Sequence, residues 1–158
     1  MPILHSQIAA QTKTPDGKLA QVPPASALQL RGPVLQVTVS IEQNAAKALL
    51  ARGQAIANKT GLALIDTGAS NTCIDEQAAK DLNLPVIDVG AMQSASHEKH
   101  PCNIYPVQII TPVVTLNSPR TMGANLAAQG LLILIGRDVL AMCNLFYNGP
   151  AGQFTLSL

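Results

Sequence analysis

The chain has 158 residues, with 10 Lys and Arg against 9 Asp and Glu, for a formal net charge of +1. Charged residues make up 12%, where about a quarter is usual. That excludes the clustered basic face an electrostatic nucleic-acid binder needs. Apolar residues reach 47% and aromatics only 3%, so the chain is too apolar for disorder, and its core is expected to be built from Ala, Val, Ile and Leu. The length suits one domain and excludes a two-lobed enzyme.

From the N-terminus, Thr14-Pro15-Asp16-Gly17-Lys18 is a turn signal that predicts a hairpin between Ile3–Ala10 and Lys18–Val22, with Pro23-Pro24 breaking the pattern. Residues 1–32 read as an N-terminal arm or hairpin, a candidate pro-segment or dimer arm, ahead of a domain over 33–158. Val34–Ile41 alternates and is β-branched, which predicts a strand. Glu42–Arg52 is rich in Ala and Leu and is followed by Gly53, which predicts a helix with a glycine stop. Leu62–Ile65 reads as a buried strand, and Asp75 as the N-cap of a short helix running to Leu82 before Pro85. Val86–Leu116 reads as extended pieces interrupted by polar Gln93–Asn103. Leu131–Ile135 reads as a second buried strand, Arg137–Leu145 as a helix, Asn148–Gly152 as a loop and Phe154–Leu158 as a closing strand. The sum is a mainly β domain with two or three short helices.

Cys73, Cys102 and Cys143 are far apart, so no disulfide framework is implied. No cationic segment followed by an apolar stretch opens the chain, and its most apolar run, Leu131–Ile135, is too short to span a bilayer. A cytoplasmic location with no membrane partner and no nucleic-acid partner is expected.

The informative segment is Ala63-Leu64-Ile65-Asp66-Thr67-Gly68-Ala69-Ser70. Asp and Gly are common turn residues, so Asp-Thr-Gly alone also reads as a plain turn. Two further observations weigh against that. The apolar run continues up to Asp66, which places the carboxylate at the edge of the core. A second apolar strand ends downstream in Gly136-Arg137-Asp138. With Leu64-Ile65-Asp66-Thr67-Gly68-Ala69 and Leu134-Ile135-Gly136-Arg137-Asp138 together, the chain from Pro33 to Leu158 resembles the retropepsin-like family of single-domain aspartic proteases.

The resemblance implies a retropepsin-like acid-protease β-barrel acting as a homodimer. It assigns Asp66 as the catalytic aspartate and Thr67 as the residue whose hydroxyl bonds across the two-fold axis. Gly68 and Ala69 complete the active-site loop, and Ile135 and Gly136 lie in the strand that crosses behind it. Arg137 begins a helix near the dimer interface. Where retroviral members carry an acidic pair after the Ala, this chain has Ser70-Asn71. The family's flap hairpin falls on the polar interruption, at Ser94, Ala95, Ser96 and His97, which lacks a glycine-rich tip.

Two carboxylates in contact cannot both ionise, so they share a proton and supply both the base and the acid that peptide hydrolysis needs. The chain has one Asp-Thr-Gly; Asp16, Asp75, Asp81, Asp88 and Asp138 lack that context. A dyad therefore needs Asp66 from each of two copies about a two-fold axis. The expected function is an aspartic endopeptidase acting on peptide or protein substrates; the alternative is a non-catalytic peptide-binding or scaffold dimer of the same fold. No cofactor and no metal is expected, since His97, His100 and Cys102 lack a fourth ligand at metal-site spacing. Cys73 reads as a small buried hydrophobe, and Arg137-Asp138 as helix capping and surface charge.

Overall fold

The computed structural model describes residues 1–94 and 97–158. In chain order it contains β1 (Ile3–Gln7), β2 (Ala10–Lys13), β3 (Leu19–Val22), α1 (Pro24–Arg31), β4 (Val34–Ile41), α2 (Gln43–Ala51) and β5 (Asn58–Ile65). There follow β6 (Cys73–Asp75), α3 (Glu76–Asp81), β7 (Asp88–Ser94), β8 (His97–Ile110) and β9 (Thr115–Ala124). A 3-10 turn at Ala127–Gln129 precedes β10 (Ile133–Ile135), α4 (Arg137–Leu140), β11 (Asn144–Asn148) and β12 (Gln153–Ser157).

The fold is mainly β. Strands pair in the order β4-β5-β10-β6-β9-β8, and β4 also pairs with β8, so the six close into a barrel. Alternation along each strand decides what fills it: Val37 and Val39, Ala63 and Ile65, Ile74, Val107 and Ile109, and Ile133 and Ile135 are all buried. Aliphatic residues dominate the core as expected, although Tyr105 and Phe154 are among its largest fully buried side chains. The Tyr105 hydroxyl, taken into the interior, donates to Glu76 Oε1 at 2.9 Å. β7 stands outside the ring as the first strand of a long hairpin with β8, and Ser94 pairs with His97 at its closed end. Ala95 and Ser96, both assigned to the flap from the sequence, lie outside the described residues.

β1, β12 and β11 form a second sheet, whose inner face contributes Leu4, Phe154 and Leu156 to the same core. Helix α1 adds the fully buried Ala27 and Leu28. Gly152 makes this junction possible: φ is +63°, and a Cβ there would lie 2.1 Å from the Pro24 carbonyl carbon.

Several expectations are corrected. Four short α-helices occur among the described residues, rather than two or three. The hairpin around Thr14–Lys18 joins β2 to β3, whereas Ile3–Gln7 pairs with β12 at the far end of the chain. Pro23-Pro24 starts a helix instead of only breaking a pattern, because proline's fixed φ suits a first turn that needs no N–H. The helix after Gly136 stops at Leu140, and Leu145 belongs to β11. By contrast, β4 covers Val34–Ile41, α2 is capped by Glu42 accepting from the Asn44 and Ala45 amides, and α3 is capped by Asp75. Among the described residues no helix is long and apolar enough to cross a membrane.

Candidate active site

β10 is the element that builds the site. It runs parallel to β5, placing Ile135 beside Ile65, and antiparallel to β6, placing Leu134 beside Cys73. Parallel pairing brings the C-terminal ends of β5 and β10 to the same edge, so the loops that begin at Asp66 and Gly136 emerge side by side. The Asp66 amide donates to the Ile135 carbonyl at 2.9 Å. Its side chain, half-buried at the strand's end, folds back so that Oδ1 accepts from the Gly68 amide at 2.8 Å and the Ala69 amide at 3.3 Å. Oδ2 has no partner among the described residues. A Cβ on Gly68 would sit 3.0 Å from Oδ1, so glycine leaves the carboxylate room.

The second loop locks the first. A Cβ on Gly136 would lie 2.5 Å from the Asn71 carbonyl carbon, so the two backbones meet where no side chain fits. Thr72, fully buried, accepts from the Gly136 amide at 3.1 Å and donates its hydroxyl to Asp138 Oδ1 at 2.7 Å; its amide donates to Asp138 Oδ2 at 3.0 Å. Arg137 reaches the other way. Nη1 donates to the carbonyls of Thr67 and Gly68, each at 2.9 Å, and Nη2 to Ser70 Oγ at 2.7 Å. Its own amide donates to the Ala69 carbonyl at 2.9 Å. Where retroviral members have an acid, Ser70 offers Arg137 a hydroxyl, and the guanidinium holds the loop through oxygens that are not carboxylates.

Asp66, Thr67, Gly68, Ala69, Ile135 and Gly136 therefore stand together at one edge of the barrel. Thr67 is exposed, and its hydroxyl has no partner among the described residues. Ser94 and His97 belong to a different element, where they pair at the end of the β7–β8 hairpin. The hairpin is connected to the strands that carry the site: Met92 of β7 packs on an apolar cluster that includes Leu64 of β5, Cys73 of β6, Met122 of β9 and Leu134 of β10. Sequence reasoning missed Thr72 and the bonds that make Asp138 and Arg137 parts of the loop's support. The Thr72–Asp138 pair spans 66 positions, and no local pattern announces it.

Cys73 is no nucleophile. Burial above all, with Cys102, Asp138 and Asp66 nearby, pushes its thiol up to about 11, so it stays protonated at neutral pH. Among the described residues no group of three His, Cys, Asp or Glu is placed to hold a metal ion.

Residues 54–126 match the sequence family described as aspartyl protease. No curated protein matches the chain. Among solved structures, the crystal structure of a retropepsin-like aspartic protease from Rickettsia conorii aligns with a TM-score of 0.45 at 12% identity, covering 98% of this chain and 92% of that one. With Asp66-Thr67-Gly68 inside the matched segment, residues 54–126 carry the aspartyl protease pattern, and the resemblance of this chain to the retropepsin-like family is borne out.

Proposed function

We propose that the protein is an aspartic endopeptidase whose active unit is a homodimer, with Asp66 contributed by each of two copies. The observation that carries this reading is the Asp66 carboxylate itself. It is held through Oδ1 by two backbone amides, leaves Oδ2 unpartnered among the described residues, and sits on a loop fixed by Gly136 and Arg137. Such a carboxylate is preorganised for one reacting partner, and the chain has a single Asp-Thr-Gly to supply it.

In the dimer, one Asp66 is ionised and the other protonated. The ionised carboxylate takes a proton from water as the oxygen attacks the peptide carbonyl, and the protonated one gives its proton to the carbonyl oxygen. As the gem-diol collapses and the C–N bond breaks, the carboxylic acid formed in the first step protonates the departing nitrogen, and one gem-diol hydroxyl gives its proton to the other carboxylate, so the pair again holds one shared proton. In this reading the Thr67 hydroxyl, exposed and without a partner among the described residues, bonds to its counterpart beside the two carboxylates.

The test compares the wild-type protein with Asp66→Asn on an unfolded protein substrate from acid to neutral pH. Asn keeps the shape and removes the proton chemistry, so cleavage is expected to fall by about a hundredfold or more. Equal cleavage by both proteins would end the assignment.

A further inference from the structure

The sequence admits residues 1–32 as a removable pro-segment. Whether a terminal segment can leave is decided by what its backbone and side chains are bonded to. β1 pairs along its whole length with β12, from Ile3 opposite Ser157 to Gln7 opposite Gln153. The pairing is carried past both ends: the Leu158 amide donates to the Pro2 carbonyl at 3.3 Å, and the Ile8 amide to the Gly152 carbonyl at 3.0 Å. β12 is the middle strand of its sheet, so loss of β1 would turn it into an edge with unpaired backbone groups. Leu4, Ile8, Ala27 and Leu28 are buried, and they share one core with Ile65, Ile135 and Val139. Ile65 and Ile135 are the residues just before Asp66 and Gly136.

The end of the segment reaches the strand of Asp66 directly. Gly32 has a φ of +71°, and a Cβ there would lie 2.8 Å from Leu64 Cδ1, two residues before Asp66. The Ile65 amide donates to the carbonyl of Pro33, the next residue, at 3.0 Å. Yet among the described residues no hydrogen bond joins residues 1–32 to residues 66–71. A blocking segment would show the reverse, with bonds to the site and few to the core. Only the tip of the β2–β3 hairpin stands clear, with Pro15 to Leu19 all exposed.

We propose that residues 1–32 are a permanent part of the active fold, and that no cut within them is needed to switch the enzyme on. β1 and α1 pack beneath the strands that end at Asp66 and Gly136, so they support the site and do not cover it. For what is switched, the inference rests on the endopeptidase reading above. It leaves the pairing of two copies as the step that turns cleavage on.

Two experiments test it. In the first, freshly purified wild-type protein is mixed with an unfolded protein substrate, and cleavage and the intact mass of the chain are followed together. Cleavage is expected to start without a lag while the chain keeps residues 1–32. A lag that ends in step with loss of any part of them overturns the inference. In the second, a recognition sequence for a site-specific protease is inserted between Asp16 and Gly17, in the exposed tip, and the chain is cut there. The N-terminal piece is expected to stay with the remainder through gel filtration in native buffer and to part from it only in urea, with cleavage at the level of the uncut protein. A rise in cleavage on cutting overturns the inference. So does a piece that separates in native buffer from a remainder whose melting temperature is unchanged. Separation together with loss of the cooperative melt supports it, because the fold then needs β1. If neither the intact nor the cut protein cleaves substrate, the endopeptidase reading falls, and retention and melting temperature decide the inference on their own.

Discussion

Arg137 carries more of the site than its exposed position suggests. Three side-chain hydrogen bonds and one from its amide fix four consecutive residues of the Asp66 loop. The planar guanidinium can span two carbonyls and a hydroxyl together, whereas a lysine ammonium is a single point on a flexible stem. Arg137→Ala is expected to lower stability by about 1–2 kcal/mol, the modest net value of exposed hydrogen bonds, and to lower kcat well beyond what unfolding explains. Arg137→Lys is expected to recover stability more than kcat. Parallel thermal-denaturation and steady-state measurements separate the two. Cys73 makes a prediction of a different sort. Its thiol ordinarily ionises near 9.0 and here is held protonated to about 11. The unfolded chain therefore loses this proton first as pH rises. The stabilisation is complete below about 9 and is lost between about 9 and 11, on the order of 2 kcal/mol. Urea midpoints of the wild type and Cys73→Ala, measured across that range, should show the extra decline only in the wild type.

Among the elements, α1 shows how local and long-range information divide. Its Leu28 is fully buried in the core that β1 and β12 share with the barrel. Leu28→Ala is expected to cost about 2–5 kcal/mol, seen as a lower urea midpoint, although the residue lies far from Asp66 in the chain. The sequence could not show this, because α1 has weak amphipathic patterning and begins at Pro23-Pro24, a pair as common in loops as at helix starts. β4, α2 and α3 were legible because their signals are local: a largely alternating β-branched run, a glycine stop after the last turn, and an aspartate cap. The Asp66 and Gly136 loops were legible as motifs. That β10 lies between β5 and β6 and brings those loops together is a pairing across about half the chain, which no window of residues contains. The end of α4 was missed for the opposite reason, since apolar residues continue past Leu140 with no glycine or proline to mark a stop.

At the scale of the whole molecule, the dimer reading has a consequence that does not depend on substrate. If each copy supplies half of the catalytic pair, activity per mole of chain must fall on dilution, with the midpoint at the dissociation constant measured by sedimentation. Activity that stays proportional to protein down to concentrations where only single chains sediment would show that one copy suffices. The formal charge of +1 adds little long-range repulsion between copies, so this midpoint should depend only weakly on salt.

The pairing of β1 with β12 sets Ile3 opposite Ser157. The two ends of the chain are thereby neighbours on one sheet, and any sequence attached before Met1 or after Leu158 leaves the molecule from the same patch. A tag or fused partner on either end would crowd that patch equally. A short bridge could join the ends into a ring, with new ends opened at the exposed Asp16–Gly17 turn.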